Sequence, residues 1–194
     1  VGLAGECYLL RRLLQIGLTA GIDPSVVLAR WLDEKRDFGA QGITVEVKTT
    51  TLSARVHHIG SISQLEPSAE GEVLYLYSIG IRVERLHDRK LTAYVDDVAR
   101  LLVTQQQKSD PQAKAHFFEK LAARGYHEAH TALYDVGPGL MINGALPARL
   151  YRVSDLDCLR TSSFKNEEQP SMVRNIGYEL ELPDGLDQPL DKDA

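Results

Sequence analysis

The 194-residue sequence predicts a mixed α/β fold. Three observations carry this: a helical apolar pattern at the start, a period-2 stretch over residues 43–48 preceded by a glycine, and a continuous apolar, β-rich run over residues 73–82. The order helix, hairpin, strand, helix gives a mixed α/β domain, with further strands read toward the C-terminus.

Leu3, Leu9, Leu10, Leu13, Leu14 and Ile16 recur at helical spacing with Arg11, Arg12 and Gln15 between them, and the pattern stops at Gly17; a helix is expected over 3–16. The sequence starts at Val1 with no cap ahead of this pattern, so an upstream region is expected to be missing. Asp23-Pro24-Ser25 is turn chemistry, and residues 26–31 are too short a run for periodicity to separate strand from helix. In DFGAQGITVEVKTT (37–50), Ile43, Val45 and Val47 alternate with Thr44, Glu46 and Lys48, which predicts a hairpin with one apolar and one polar face. The 73–82 run reads as a strand covered on both faces and hence central. Helical spacing returns over 95–106 and 113–124, separated by Ser109-Asp110-Pro111 and closed by Gly125. Residues 150–153 and 178–182 read as further strands. Residues 183–194 have the polar, proline-punctuated composition of a disordered tail. One domain over 1–182 with an acidic tail over 183–194 is therefore expected, without repeats.

Composition excludes several classes. With 43% hydrophobic residues and a length near the usual ~150 residues per domain, the chain can build a core without staples. Cys7 and Cys158 are too few and too distant for a disulfide framework, which points to a reducing, cytoplasmic setting. No apolar run approaches the roughly 18 residues a membrane span needs. The net charge of -5 is local: three basic and eight acidic residues lie from Lys165 onward, leaving a neutral body that can still present basic surface. The charge balance argues against histone-like coating of DNA, which needs a large basic excess.

A two-residue turn at Gln41-Gly42 would set Asp37 opposite Glu46, with Lys48 on the same face two residues on. Opposed carboxylates repel unless a cation lies between them, and oxygen ligands point to a hard ion such as Mg²⁺. Positive φ at Gln41 is unfavourable, so a longer loop shifting the register by one stays open. An ordinary solvated strand face also explains Glu-x-Lys. Glu6 stands among leucines on the first helix, either near such a site or on the helix's exposed side, and Gln64 in SISQLEP is otherwise a loop or cap residue.

Glu6, Asp37 and the Glu46-Val47-Lys48 run together resemble the PD-(D/E)XK nuclease superfamily. The order GLAGE, Trp31, Asp37-Phe38, EVKTT and SISQLE is similar to an uncharacterised bacterial group of PD-(D/E)XK motif proteins, and that resemblance implies a restriction or phage-defence setting. The resemblance implies a restriction-endonuclease-like core, a mixed central sheet flanked by helices with additional C-terminal helices and strands, in which Asp37 and Glu46 bind Mg²⁺, or Mn²⁺ in its place, with Glu6 an auxiliary acid near the metal. Lys48 would orient or activate the attacking water, and Gln64 would match a glutamine that some of these nucleases place beside the site. Arg36 stands where the signature has proline. The implied activity is metal-dependent endonucleolytic cleavage of DNA, with helicase, ATPase or methyltransferase partners. The alternative is an inactive nuclease-like DNA-binding or assembly module, and RNA stays open as a substrate.

As an ammonium, Lys48 would hold the water and neutralise phosphate; service as a base would require deprotonation. Elsewhere, His57 and His58 read as an exposed loop. HEAH (127–130) lacks the four-residue spacing that stacks two ligands on one helical face. Gly137-Pro138-Gly139 and Gly144 read as turns, Arg82, Arg85, Arg89 and Lys90 as a solvated face, and Tyr75 and Tyr77 as packed core.

Overall fold

The computed structural model describes residues 1–32, 36–103, 112–161, 176–183 and 188–189. It is a mixed α/β structure with a mixed sheet, consistent with a restriction-endonuclease-like core. Its contacts divide it into two units, each assembled from separate stretches: 1–38 with 81–142, and 39–80 with 143–194.

The first unit is mostly helical. Helix α1 (Gly2–Thr19) runs past the predicted stop because Gly17 is a contact rather than a terminator: a Cβ there would sit 2.8 Å from Val27 Cγ2. The ambiguous run after it is a short helix, α2 (Pro24–Leu28), whose N-cap Asp23 accepts the Ser25 N–H and whose first residue is proline. Helices α3 (Leu91–Val103), α4 (Ala113–Ala123) and α5 (Thr131–Val136) follow, with α3 packed on α1. Leu10, Leu14, Leu28, Trp31, Val95, Val98, Phe117 and Leu121 are buried here. The predicted break at Ser109-Asp110-Pro111 lies outside the described residues.

The second unit carries most of the sheet. Strands β1 (Phe38–Ala40) and β2 (Ile43–Thr50) are joined by the two-residue turn, and both of its residues have positive φ, 49° at Gln41 and 80° at Gly42. That is the sign pattern a type I′ hairpin needs. The longer-loop alternative is set aside: the turn imposes αL on Gln41 despite its Cβ.

Strand β3 (Val56–Ile59) corrects the loop reading of His57 and His58. Strand β4 (Val73–Glu84) is central, as its apolar run predicts: β2 pairs with it in parallel and β6 (Arg149–Arg152) antiparallel. Strand β5 (Gly139–Ile142) pairs with the end of β4, and β7 (Tyr178–Glu181) with β3. Gly139 is therefore a strand residue, not a turn. Within the stretch read as a tail, β8 (Gln188–Pro189) adds to β6, and residues 184–187 and 190–194 lie outside the described set. Ile59, Leu65, Leu74, Leu76, Tyr151 and Val153 form the core of this unit. Among the described residues no helix is long and apolar enough to cross a membrane.

Candidate active site

Residues Glu46 and Lys48 are two apart on β2 and so project to one face, in register with Leu76 and Ser78 of β4. The alternation predicts a wet polar face, but Glu46 is 5% exposed whereas Ile43, expected inside, is 48% exposed. A buried carboxylate must be charge-compensated or hydrogen-bonded. Both conditions are met: Lys48 Nζ lies 3.5 Å from Glu46 Oε1, and Gln64 Nε2 donates to that oxygen at 2.8 Å. Gln64 sits on a 3-10 turn (Ile62–Leu65) and is itself oriented, because its Oε1 accepts the Gly60 N–H at 2.9 Å. Three of the five predicted residues thus form one group, joined by a hydrogen bond and an ion pair.

Three neighbours of this group carry no motif. Ser78, opposite Lys48, is fully buried, and its hydroxyl lies 2.8 Å from His57 Nε2 and 3.1 Å from Arg55 Nη1. His57 Nδ1 faces the Thr49 carbonyl at 3.4 Å; a carbonyl only accepts, so Nδ1 carries the proton and Nε2 accepts from the Ser78 hydroxyl. Burial drives the His57 pKa down to about 4 against the opposing Thr49 bond, and the Lys48 and Arg55 cations push the same way. The ring is neutral at physiological pH. The signal available in the sequence was Ser78 itself, a hydroxyl inside an otherwise apolar strand.

The other two predicted residues belong to the first unit. Glu6 is half-buried on α1, where its Oε2 accepts the Trp31 indole N–H at 2.9 Å and meets Arg124 Nε at 3.1 Å. Asp37 is half-buried immediately before β1, and its backbone carbonyl accepts the Leu32 N–H at 2.8 Å. Arg36, at the signature's proline position, is buried. Of the basic cluster, Arg82 pairs with Glu84, Arg89 with Asp97, and Lys90 donates to the Gly137 carbonyl.

Carboxylate oxygens at Asp37 and Glu46 are the donors a hard divalent cation takes. Among the described residues no group of three or more His, Cys, Asp or Glu side chains comes together as a metal cluster. Residues 1–155 match the model of a family described as "Putative PD-(D/E)XK family member, (DUF4420)". No curated protein and no solved structure matches the chain.

Proposed function

Since the chain belongs to this PD-(D/E)XK family, we propose that it is a divalent-cation-dependent nuclease hydrolysing phosphodiester bonds in DNA, in a bacterial restriction or phage-defence system. The observation that carries the reading is the buried Glu46 carboxylate held by Lys48 and Gln64. An acid left buried beside a lysine two residues on, and braced by a separate turn, is costly as scaffold and useful as a preoriented ligand.

Asp37 and Glu46 would hold the cation, Mg²⁺ with Mn²⁺ able to substitute, and the cation supplies water activation and charge neutralisation at the phosphate. Lys48 holds the attacking water and offsets charge as the pentavalent phosphorus forms. Gln64 keeps the Glu46 carboxylate in one rotamer, so no reorganisation is needed when substrate arrives. DNA, with helicase or methyltransferase subunits, is the proposed partner set.

The test is incubation of plasmid and single-stranded DNA with Mg²⁺ or Mn²⁺, comparing wild type with Lys48→Ala and Glu46→Ala. Cation-dependent cleavage lost in both folded variants supports the reading. Wild-type cleavage equalled by either variant removes the assignment. Absence of wild-type cleavage, together with no calorimetric Mn²⁺ binding that Glu46→Ala abolishes, makes the chain an inactive nuclease-like module instead.

A further inference from the structure

Glu6 is where the family resemblance and the geometry part company. Its Oε2 already takes two donors, the Trp31 indole and the Arg124 guanidinium, and the Glu6 and Arg124 side chains are only 17% and 16% exposed. A second cation at that oxygen would face Arg124 at short range in a poorly solvated place, where like charges are costly.

The same arginine does more. Its guanidinium carbon stacks 3.9 Å above the Trp31 ring, Nη1 donates to the Lys120 carbonyl at 3.1 Å and Nη2 to the Leu32 carbonyl. Buried Lys120 donates from Nζ to the Trp31 carbonyl at 2.7 Å. Two successive carbonyls, 31 and 32, are thus each held by a cation. The held segment then meets Asp37 directly: Leu32 N–H donates to the Asp37 carbonyl, and Trp31 bridges antiparallel to Phe38.

We propose that Glu6, Arg124, Lys120 and Trp31 form a clamp that fixes the backbone at Asp37, so that Glu6 is a positioning residue rather than a metal ligand. This rests on the reading of Asp37 as a metal carboxylate. Glu6 orients Arg124 and Trp31, Arg124 and Lys120 immobilise residues 31 and 32, and these hold the Asp37 carbonyl. Supporting shells of this kind typically change metal affinity or activity by roughly 10- to 100-fold when broken.

The experiment measures Mn²⁺ binding by calorimetry, the Mn²⁺ dependence of plasmid cleavage, and amide exchange at Leu32 in metal-free protein. Circular-dichroism melts check folding. Arg124→Ala and Glu6→Ala are each expected to weaken Mn²⁺ binding roughly tenfold or more, to speed Leu32 exchange and to leave the KM for DNA unchanged. Glu6→Gln, which keeps an oxygen acceptor for both donors, restores much of the loss. Asp37→Asn abolishes binding with Leu32 exchange unaltered.

Glu6→Gln as deficient in Mn²⁺ binding as Asp37→Asn overturns the clamp and makes Glu6 a ligand. Unchanged Mn²⁺ binding in folded Arg124→Ala overturns it as well. Should Arg124→Ala not fold, Arg124→Lys replaces it, because lysine keeps the charge but loses the fork onto Leu32. Wild-type protein without Mn²⁺ binding or cleavage fails the nuclease reading itself, and is seen before any variant is compared.

Discussion

Gln64 holds the Glu46 carboxylate from one end of its amide, Nε2 to Oε1 at 2.8 Å, while the other end is fixed by the Gly60 N–H. The amide therefore works as a strut between β2 and the 3-10 turn.

Removing the strut should affect stability and chemistry separately. Gln64→Leu leaves a buried carboxylate short of a donor, a loss of about 1–3 kcal/mol. In a protein of this size that lowers Tm by roughly 2–4 °C per kcal/mol. Cleavage should fall further, by roughly 10- to 100-fold, as expected for lost orientation of the proposed metal carboxylate. Gln64→Glu should be worse on both counts, because it sets a second acid against a buried one. Thermal melts and plasmid-nicking rates on the same preparations check this, and equal effects of Leu and Glu would contradict it.

The hairpin gives a second prediction with the opposite sign. Gln41 adopts φ 49°, a conformation that asparagine tolerates better than glutamine does, and Gly42 adopts φ 80°. Gln41→Asn is expected to raise Tm slightly, while Gly42→Ala should cost about 1 kcal/mol through the same αL requirement. Nothing lies within 4 Å of a Cβ built on Gly42, so the cost is purely conformational, and a melt comparing the two variants isolates it.

What the sequence made legible follows the range of the interactions. The hairpin and β4 announce themselves because alternation, a continuous apolar run and a glycine act over neighbouring residues. The burial of Glu46 does not, since it depends on Gln64, eighteen residues away. Strand β3 was invisible for a similar reason: its partner is β7, more than a hundred residues on, and buried His57 meets the Ser78 hydroxyl, 21 residues away. Glu6 showed as an acid among leucines, but its partners Trp31 and Arg124 come from separate parts of the chain. The carboxylates, the lysine and Gln64 were readable as candidates, whereas the hydrogen bond that joins Gln64 to Glu46 had to be seen in space.

Gly139 illustrates the same point with a testable cost. A Cβ there would run into the His87 carbonyl oxygen and lie 2.6 Å from His87 Cβ, and the neighbouring Leu140 N–H is tied to the Arg89 carbonyl at 2.7 Å. Backbone rather than a flexible side chain stands in the way. Gly139→Ala should therefore cost more than the usual overpacking range of about 1–3 kcal/mol, or prevent soluble expression. Denaturant unfolding checks it, and a midpoint unchanged from wild type would show that β5 can move off His87.

The His57 ring predicts a specific pH dependence. It is 1% exposed, and its folded pKa of about 4 lies below the ordinary 6.5. Between those values the unfolded chain binds a proton that the folded ring refuses, so stability rises with pH through this window. The contribution is fully present above pH 6.5 and fades as pH falls toward 4, a change on the order of 3 kcal/mol. Protonation also removes the Nε2 lone pair that accepts from Ser78, and sets a third cation beside Lys48 and Arg55. Melts of wild type and His57→Gln across pH 4–8 should show the variant less stable at pH 7 but with a shallower slope below 6.5. Parallel slopes would mean that the ring protonates without cost and that the Ser78 hydroxyl does not depend on it.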